Sequence, residues 1–307
     1  MKLIRYFIPF LAVLVLVAVF PIEAMANPGL QINNMILVTS VSPGETLTYT
    51  MTISIGATDP ATGIEVQVEG LTQSLDGTNG PLAPAEDTGP YSARSFISID
   101  KNSFQLEPGA SQDVTATINI PQNVGAGGRY AMIHFATQAT PGTEVNILSA
   151  IDVPIVLTVT NSQLIQTGKI TALTIGTSVN GQPLDISTTF QNTGNHHYKV
   201  QGDVTVSNSK GVVLQNIATP LTGSSIVPNM SMQFKTAFTP QGNLPSGIYS
   251  VNSKIMLADG TVLDKANGHF TIGSVQSPIK WLVIGVVTGV VIVIGLIIFL
   301  VVRRKHK

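Results

Sequence analysis

The adjacent pair His196 and His197, within "TTFQNTGNHHYKVQGDVTV" (188–206), is the first place in this chain where residue type and spacing suggest chemistry. Two imidazoles side by side invite metal ligation or acid–base work, in a chain with five histidines and no cysteine. A zinc site needs three or four ligands, and the remaining histidines are His134, His269 and His306. "NTGN" reads as a turn, since Gly194 and Asn195 tolerate left-handed backbone, with the next strand beginning at His196 or His197. Neighbours on a strand face opposite sides, so regular β geometry cannot aim both rings at one ion. The pair is expected to flank a turn. Nucleophilic catalysis has no better footing: there is no thiol and no G-x-S-x-G elbow. The glycine run "GAGG" (125–128) is followed by neither a helix nor G-K-[ST], so it is not a phosphate loop. No catalytic residue, cofactor or metal ligand is assigned, and the expectation is a protein that is not an enzyme.

A second candidate is the stretch "TQSLDGTNGPLAPAEDTGPYSAR" (72–94), long for a connection in a compact domain and rich in Pro and Gly. Asp76, Asn79, Glu86 and Asp87 offer oxygen ligands of the kind calcium takes. Tyr91 and Arg94 offer an aromatic and a cationic contact for a glycan or a protein. A mobile insertion carrying solvated acids accounts for the same residues. Tyr130, after the glycine turn, is a third candidate contact and equally a core residue. Asn229 in "NMS" fits a glycosylation sequon.

The elements that position these residues are strands. Leu47, Tyr49, Met51, Ile53 and Ile55 alternate with Thr and Ser; Val114, Ala116, Ile118 and Ile120 alternate in the same way. So do Ile147, Ile151, Val153, Ile155, Leu157 and Val159, and later Tyr249, Val251, Ile255 and Leu257. "SVSPGETLTYTMTISI" (40–55) and "QLEPGASQDVTATINI" (105–120) each set Pro-Gly before an alternating strand, suiting the centre of a type II turn. About seven strands in each half, at hairpin spacing, predict an all-β chain of two tandem Ig-like antiparallel β-sandwiches. They are placed at residues 27–160 and 161–273, joined near "TNSQLIQTG" (160–168). Without cysteine, both must be stable by core packing alone.

The ends carry their own expectations. Lys2 and Arg5, an apolar run over 6–20 and "AMA" (24–26) read as a signal peptide over 1–26. Residues 274–280 read as a linker, and "WLVIGVVTGVVIVIGLIIFLVV" (281–302) as a transmembrane helix. "RRKHK" (303–307) follows as a basic cytoplasmic tail. The expected localisation is the plasma membrane, single-pass, with the ectodomain outside. Residues 27–160 hold three Lys or Arg against twelve Asp or Glu, a poor composition for binding nucleic acid.

"SFISIDKNSFQLEPGASQDVTATINIPQNVGAGGRYAMIHF" (95–135) resembles the first domain of the WxL-interacting proteins of Gram-positive bacteria, and "NTGNHHYKVQGDVTVSNSKGVV" (192–213) is similar to their second. The resemblance implies a membrane-anchored surface scaffold whose first domain contacts peptidoglycan and whose second holds a WxL-type or other surface protein. The alternative is an accessory, client-holding subunit of a membrane export or assembly complex. In the scaffold reading, binding uses sheet faces, inter-strand loops and exposed strand edges, because an uncovered edge accepts a partner strand through main-chain hydrogen bonds.

Overall fold

The computed structural model describes residues 29–139, 148–160 and 163–273. The expected signal peptide (1–26), linker (274–280), membrane span (281–302) and tail (303–307) lie outside the described residues. Among those described, no helix is long and apolar enough to cross a membrane. Their one helical element is a 3-10 turn at Arg94–Phe96. Everything else regular among the described residues is strand, and these residues are all-β with sandwich-like packing. The chain divides into two compact units. The first runs through Gly168 and also gathers residues 191–198 and 224–232; the second comprises 169–190, 199–223 and the residues from 233 onward.

Among the described residues the first unit holds ten strands, where about seven were expected. They are β1 (Gln31–Asn33), β2 (Leu37–Val41), β3 (Thr46–Ser54), β4 (Thr62–Gln73) and β5 (Asn79–Leu82), then β6 (Ile97–Ile99), β7 (Ser103–Leu106), β8 (Ser111–Asn119), β9 (Gly128–Thr137) and β10 (Ala150–Val159). The surplus is short strands of three or four residues, too brief to show alternation. One sheet runs β1-β3-β8-β6; the other runs β2-β10-β9-β4-β5, with β7 also on β4. The chain changes sheets between β1 and β2. Asn34 makes the corner at φ 61°, its amide donating to Thr50 O (2.8 Å) while Tyr49 OH donates to Asn34 O (2.7 Å). That crossing leaves β2 parallel to β10, a departure from the purely antiparallel expectation.

Alternation supplies the core. Met51, Ile53, Val114, Ala116 and Ile118 from one sheet, and Ile64, Ile133, Phe135, Val153, Ile155 and Leu157 from the other, are fully buried in one cluster. Each such side chain contributes roughly 1.5–3 kcal/mol of burial, and there is no cysteine to add a cross-link. The two Pro-Gly pairs sit in turns that hand the chain into β3 and β8. Gly44 and Gly109 adopt φ 79° and 73°, with Glu45 N–H on Ser42 O and Ala110 N–H on Glu107 O.

The second unit is built on β11 (Gly168–Ile175), β12 (Leu184–Asn192) and β15 (Ser231–Phe238) in one sheet. The other sheet has the order β14-β13-β16-β17, from β13 (Gln201–Asn208), β14 (Val213–Thr219), β16 (Gly247–Met256) and β17 (Val262–Ile272). Ile186, Val204, Val206, Phe238 and Val251 are buried together, and the Tyr249 and Phe270 rings stack at 5.2 Å. A buried hydroxyl pair, Thr188 with Ser253 at 2.7 Å, satisfies both polar groups inside this core.

Candidate functional site

The histidine pair sits in the first unit, and not at a strand start: residues 193–199 are turn and loop, and β13 begins only at Gln201. Freed from strand alternation, the two rings lie near one another, 6.3 Å between centroids. His197 Nδ1 meets the Tyr130 hydroxyl at 3.1 Å, and the rings are edge-on at 5.7 Å. His196 is 6 % exposed. Burial pushes both imidazoles below their ordinary range, with the neighbouring His196 adding to the effect on His197. Burial likewise pushes the Tyr130 phenol up. Neutral imidazole and neutral phenol are therefore the resident forms, and the pair acts as packing with two hydrogen bonds, one between His197 Nδ1 and Tyr130 OH and one from Gln166 Nε2 to His196 Nε2 (3.4 Å).

Asn192 holds this loop. Fully buried, it donates from Nδ2 to His196 O (2.8 Å) and Ile226 O (2.7 Å) and accepts Gly194 N–H at Oδ1 (2.8 Å). The "GAGG" turn packs beside it: Gly128 N–H donates to Asn195 O (2.8 Å), and a Cβ on Gly127 would stand 2.0 Å from that same oxygen. Arg129, buried, closes the turn on itself by donating to Gly125 O (2.7 Å) and Gly128 O (2.6 Å), with its guanidinium 6.0 Å from the Tyr91 ring centre.

Of the three sequence-derived contact candidates, two are brought together. Tyr130 N–H donates to Tyr91 O (2.8 Å), and Ala93 N–H to Tyr130 O (2.7 Å). Tyr130 is 2 % exposed, packed with Leu71, Met132, Val156 and Val227, so it faces the interior. Arg94 turns elsewhere: its Nε lies 3.7 Å from Asp87 Oδ2, which also accepts the Ser92 hydroxyl at 2.5 Å. The stretch 72–94 is more ordered than a mobile insertion. It opens with the end of β4, returns as β5, and Asp76 seals the hairpin by accepting from Thr78 N–H (2.9 Å) and Ser74 Oγ (3.0 Å). Those bonds, the Thr78 backbone one first, hold the Asp76 carboxyl below its ordinary range. Among the described residues, no three His, Asp or Glu side chains are grouped to hold a metal ion.

The feature that offers binding is a sheet edge that sequence reading did not single out. β10 pairs antiparallel with β9 along its whole length, but β2 covers only Ile155–Val159 on the other side. Val159 N–H donates inward to Gly127 O, whereas Thr160 N–H donates outward to Val41 O. By strict alternation, the odd residues of β10 serve β9 and the even ones face out. Pro154 is an even residue and has no N–H to offer, at the very place where β2 has not yet arrived. By the same ladder, Leu37 reaches the Pro154 carbonyl. The N–H and C=O of Ala150 and Asp152 face out, and no strand among the described residues lies beside them. Met35, Ile36 and Val38, around the start of β2, are 60 %, 54 % and 59 % exposed, and Leu148, just before β10, is 61 % exposed. The signal for strand existence was present in the Ile151–Val159 alternation; which edge stays open depends on where β2 begins, and alternation does not report that.

No family model matches the chain, nor does any curated protein. Solved structures of similar backbone include the class 5 fimbriae chaperone CfaA, at 13 % identity over 78 % of this chain and 98 % of that one, TM-score 0.37. The periplasmic chaperone SfaE is similar at 9 % identity over 78 % and 99 %, TM-score 0.34. The Salmonella enterica SafA pilin in complex with the SafB chaperone is similar at 9 % identity over 81 % and 99 %, TM-score 0.34. The resemblance to the WxL-interacting proteins is corrected: no family model or curated protein supports it, and none of these solved structures is described as one of that family. The assignments that rested on it are corrected with it: a cell-surface scaffold on peptidoglycan and a WxL-type partner. The single-pass plasma-membrane assignment, drawn from residues 281–302, is set aside as well: no helix among the described residues is long and apolar enough to cross a membrane, and 281–302 lies outside them.

Proposed function

We propose that this chain is a non-enzymatic, client-holding module that accepts an extended strand of a partner protein on its way to export or assembly. The observation that carries the reading is the uncovered half of β10. Two residues there present outward main-chain groups beside exposed apolar side chains, and strand addition uses both: ladder bonds for affinity, alternate side chains for selectivity. Tyr91 and Arg94 flank buried Tyr130 as supports of the sheet, in this reading, and do not touch the client. The test is amide hydrogen exchange on the full chain with and without a synthetic peptide of alternating Val and Thr. Ala150 and Asp152 amides, open in the free protein, become protected by roughly tenfold or more, while those of Ile151 and Val153 are protected throughout. Ala150→Pro removes one outward N–H without touching the β9 ladder and weakens the peptide. Protection confined to other strands, or full binding by Ala150→Pro, refutes the proposal.

A further inference from the structure

The four-stranded sheet of the second unit has two edges that are treated differently by the sequence. On β17, Asp264 Oδ2 takes the Ile170 N–H (2.6 Å) and the Thr271 carbonyl takes the Ser178 hydroxyl (2.9 Å), while Lys265 adds a charge. That is a guarded edge, with one outward carbonyl and one carboxylate engaged and a cation on the strand. The opposite edge is β14, "VLQNIAT", which carries no charge and no proline. Val212 and Val213 are more than half exposed and Leu214 is 39 % exposed. An uncharged, exposed edge of seven residues is a template for pairing.

A cavity of about 320 Å³ opens at the first residues of this edge. Its lining includes Asn208, Lys210, Leu214, Leu244, Ile248 and Tyr249, and Lys210 is the one charged residue there. Lys210 has no ion pair among the described residues, and Ile248 is 57 % exposed. An apolar floor with a lone cation at its mouth complements an apolar side chain followed by a carboxylate.

We infer that β14 is a separate strand-accepting edge, and that it takes an extended segment of a partner protein whose apolar side chain fills the Leu214–Ile248 cavity and whose following carboxylate pairs with Lys210. Main-chain bonds along β14 supply the pairing, and the cavity sets which residue of the segment stops there. The lysine contributes selectivity more than strength, because an exposed ion pair is worth little.

Two synthetic probes test this on the full chain by fluorescence anisotropy: a Val/Thr alternating peptide ending in Val-Asp, and its twin ending in Val-Lys-amide. The wild type favours the acidic peptide by roughly threefold to tenfold. In an Ala150→Pro background, where the β10 edge no longer adds to the signal, Lys210→Glu reverses the order, and Leu214→Asp, at an exposed position, weakens both peptides by roughly tenfold. Ala150→Pro leaves this acid preference intact, which separates the site from the β10 edge. The inference is overturned if Lys210→Glu keeps the wild-type order, if Leu214→Asp binds as the wild type does, or if free isovalerate alone displaces the peptide completely.

Discussion

Replacing Asn192 with Ala removes three hydrogen bonds at a fully buried position and strands two carbonyls and one amide, those of His196, Ile226 and Gly194. At about 1 kcal/mol net for each bond, the loss is about 3 kcal/mol, and more if the loop cannot open to let water in. With a urea slope of about 2–3 kcal/mol/M for a chain of this size, the midpoint of unfolding falls by roughly 1–1.5 M. Asn192→Asp sharpens the argument. One carboxylate oxygen keeps the Gly194 N–H bond, but the other, charged and without a proton, faces the His196 and Ile226 carbonyls that Nδ2 had served. Burial beside those acceptors raises the new carboxyl above its unfolded value, so its neutral form is the tolerated one. A raised carboxyl favours the fold below the unfolded pKa and costs stability as pH rises through the folded one. Relative to wild type at each pH, Asn192→Asp is therefore worse at pH 7 than at pH 5, whereas Asn192→Ala carries the same deficit at both. The assay is urea unfolding followed by far-UV circular dichroism at the two pH values. If both variants stay within about 0.5 kcal/mol of wild type, the loop is not held by this side chain, and the reasoning fails.

The histidine pair makes the wild type acid-sensitive. Both imidazoles titrate lower folded than unfolded, so their neutral forms favour the fold above the unfolded value of about 6.5 and stability falls as pH drops below it, by at most about 1.4 kcal/mol per pH unit for each ring. Urea midpoints at pH 7.5, 6.5 and 5.5 show the fall, and His196→Gln with His197→Gln flattens it. Gly127→Ala forces a Cβ onto the Asn195 carbonyl at φ 98° and costs about 2 kcal/mol or more, read as a lowered thermal midpoint.

Much of this fold is legible in alternation. Met51, Ile53, Val114, Ile118, Val153, Ile155 and Leu157 were all placed on one strand face by their spacing, and all are in the first core. Where alternation is absent, the reading loses its grip. β9 is buried on both faces through Gly128–Ile133, so "GRYAMI" gives no sign of which side Tyr130 takes, and a candidate contact turns out to be interior. The histidines were set at a strand start because "NTGN" looks like a hairpin turn, but Asn192 spends its side chain on holding a longer loop. The sheet crossing at Asn34 leaves no periodic trace, and the parallel β2–β10 pair that defines the open edge could not be foreseen from it. The resemblance drawn from Pro-Gly and "NTG" turns failed for a related reason. Such turns report how a chain reverses direction, a need shared by sandwiches of every function.

Pro154 gives the open edge a direction. With no N–H of its own and Leu37 already alongside, it acts as a buffer at the end of a track, and an incoming strand is measured from that fixed wall back toward Leu148. In the proposed binding mode a guest can overhang past Leu148 but cannot pair beyond Pro154, so the edge fixes where one end of the guest stops.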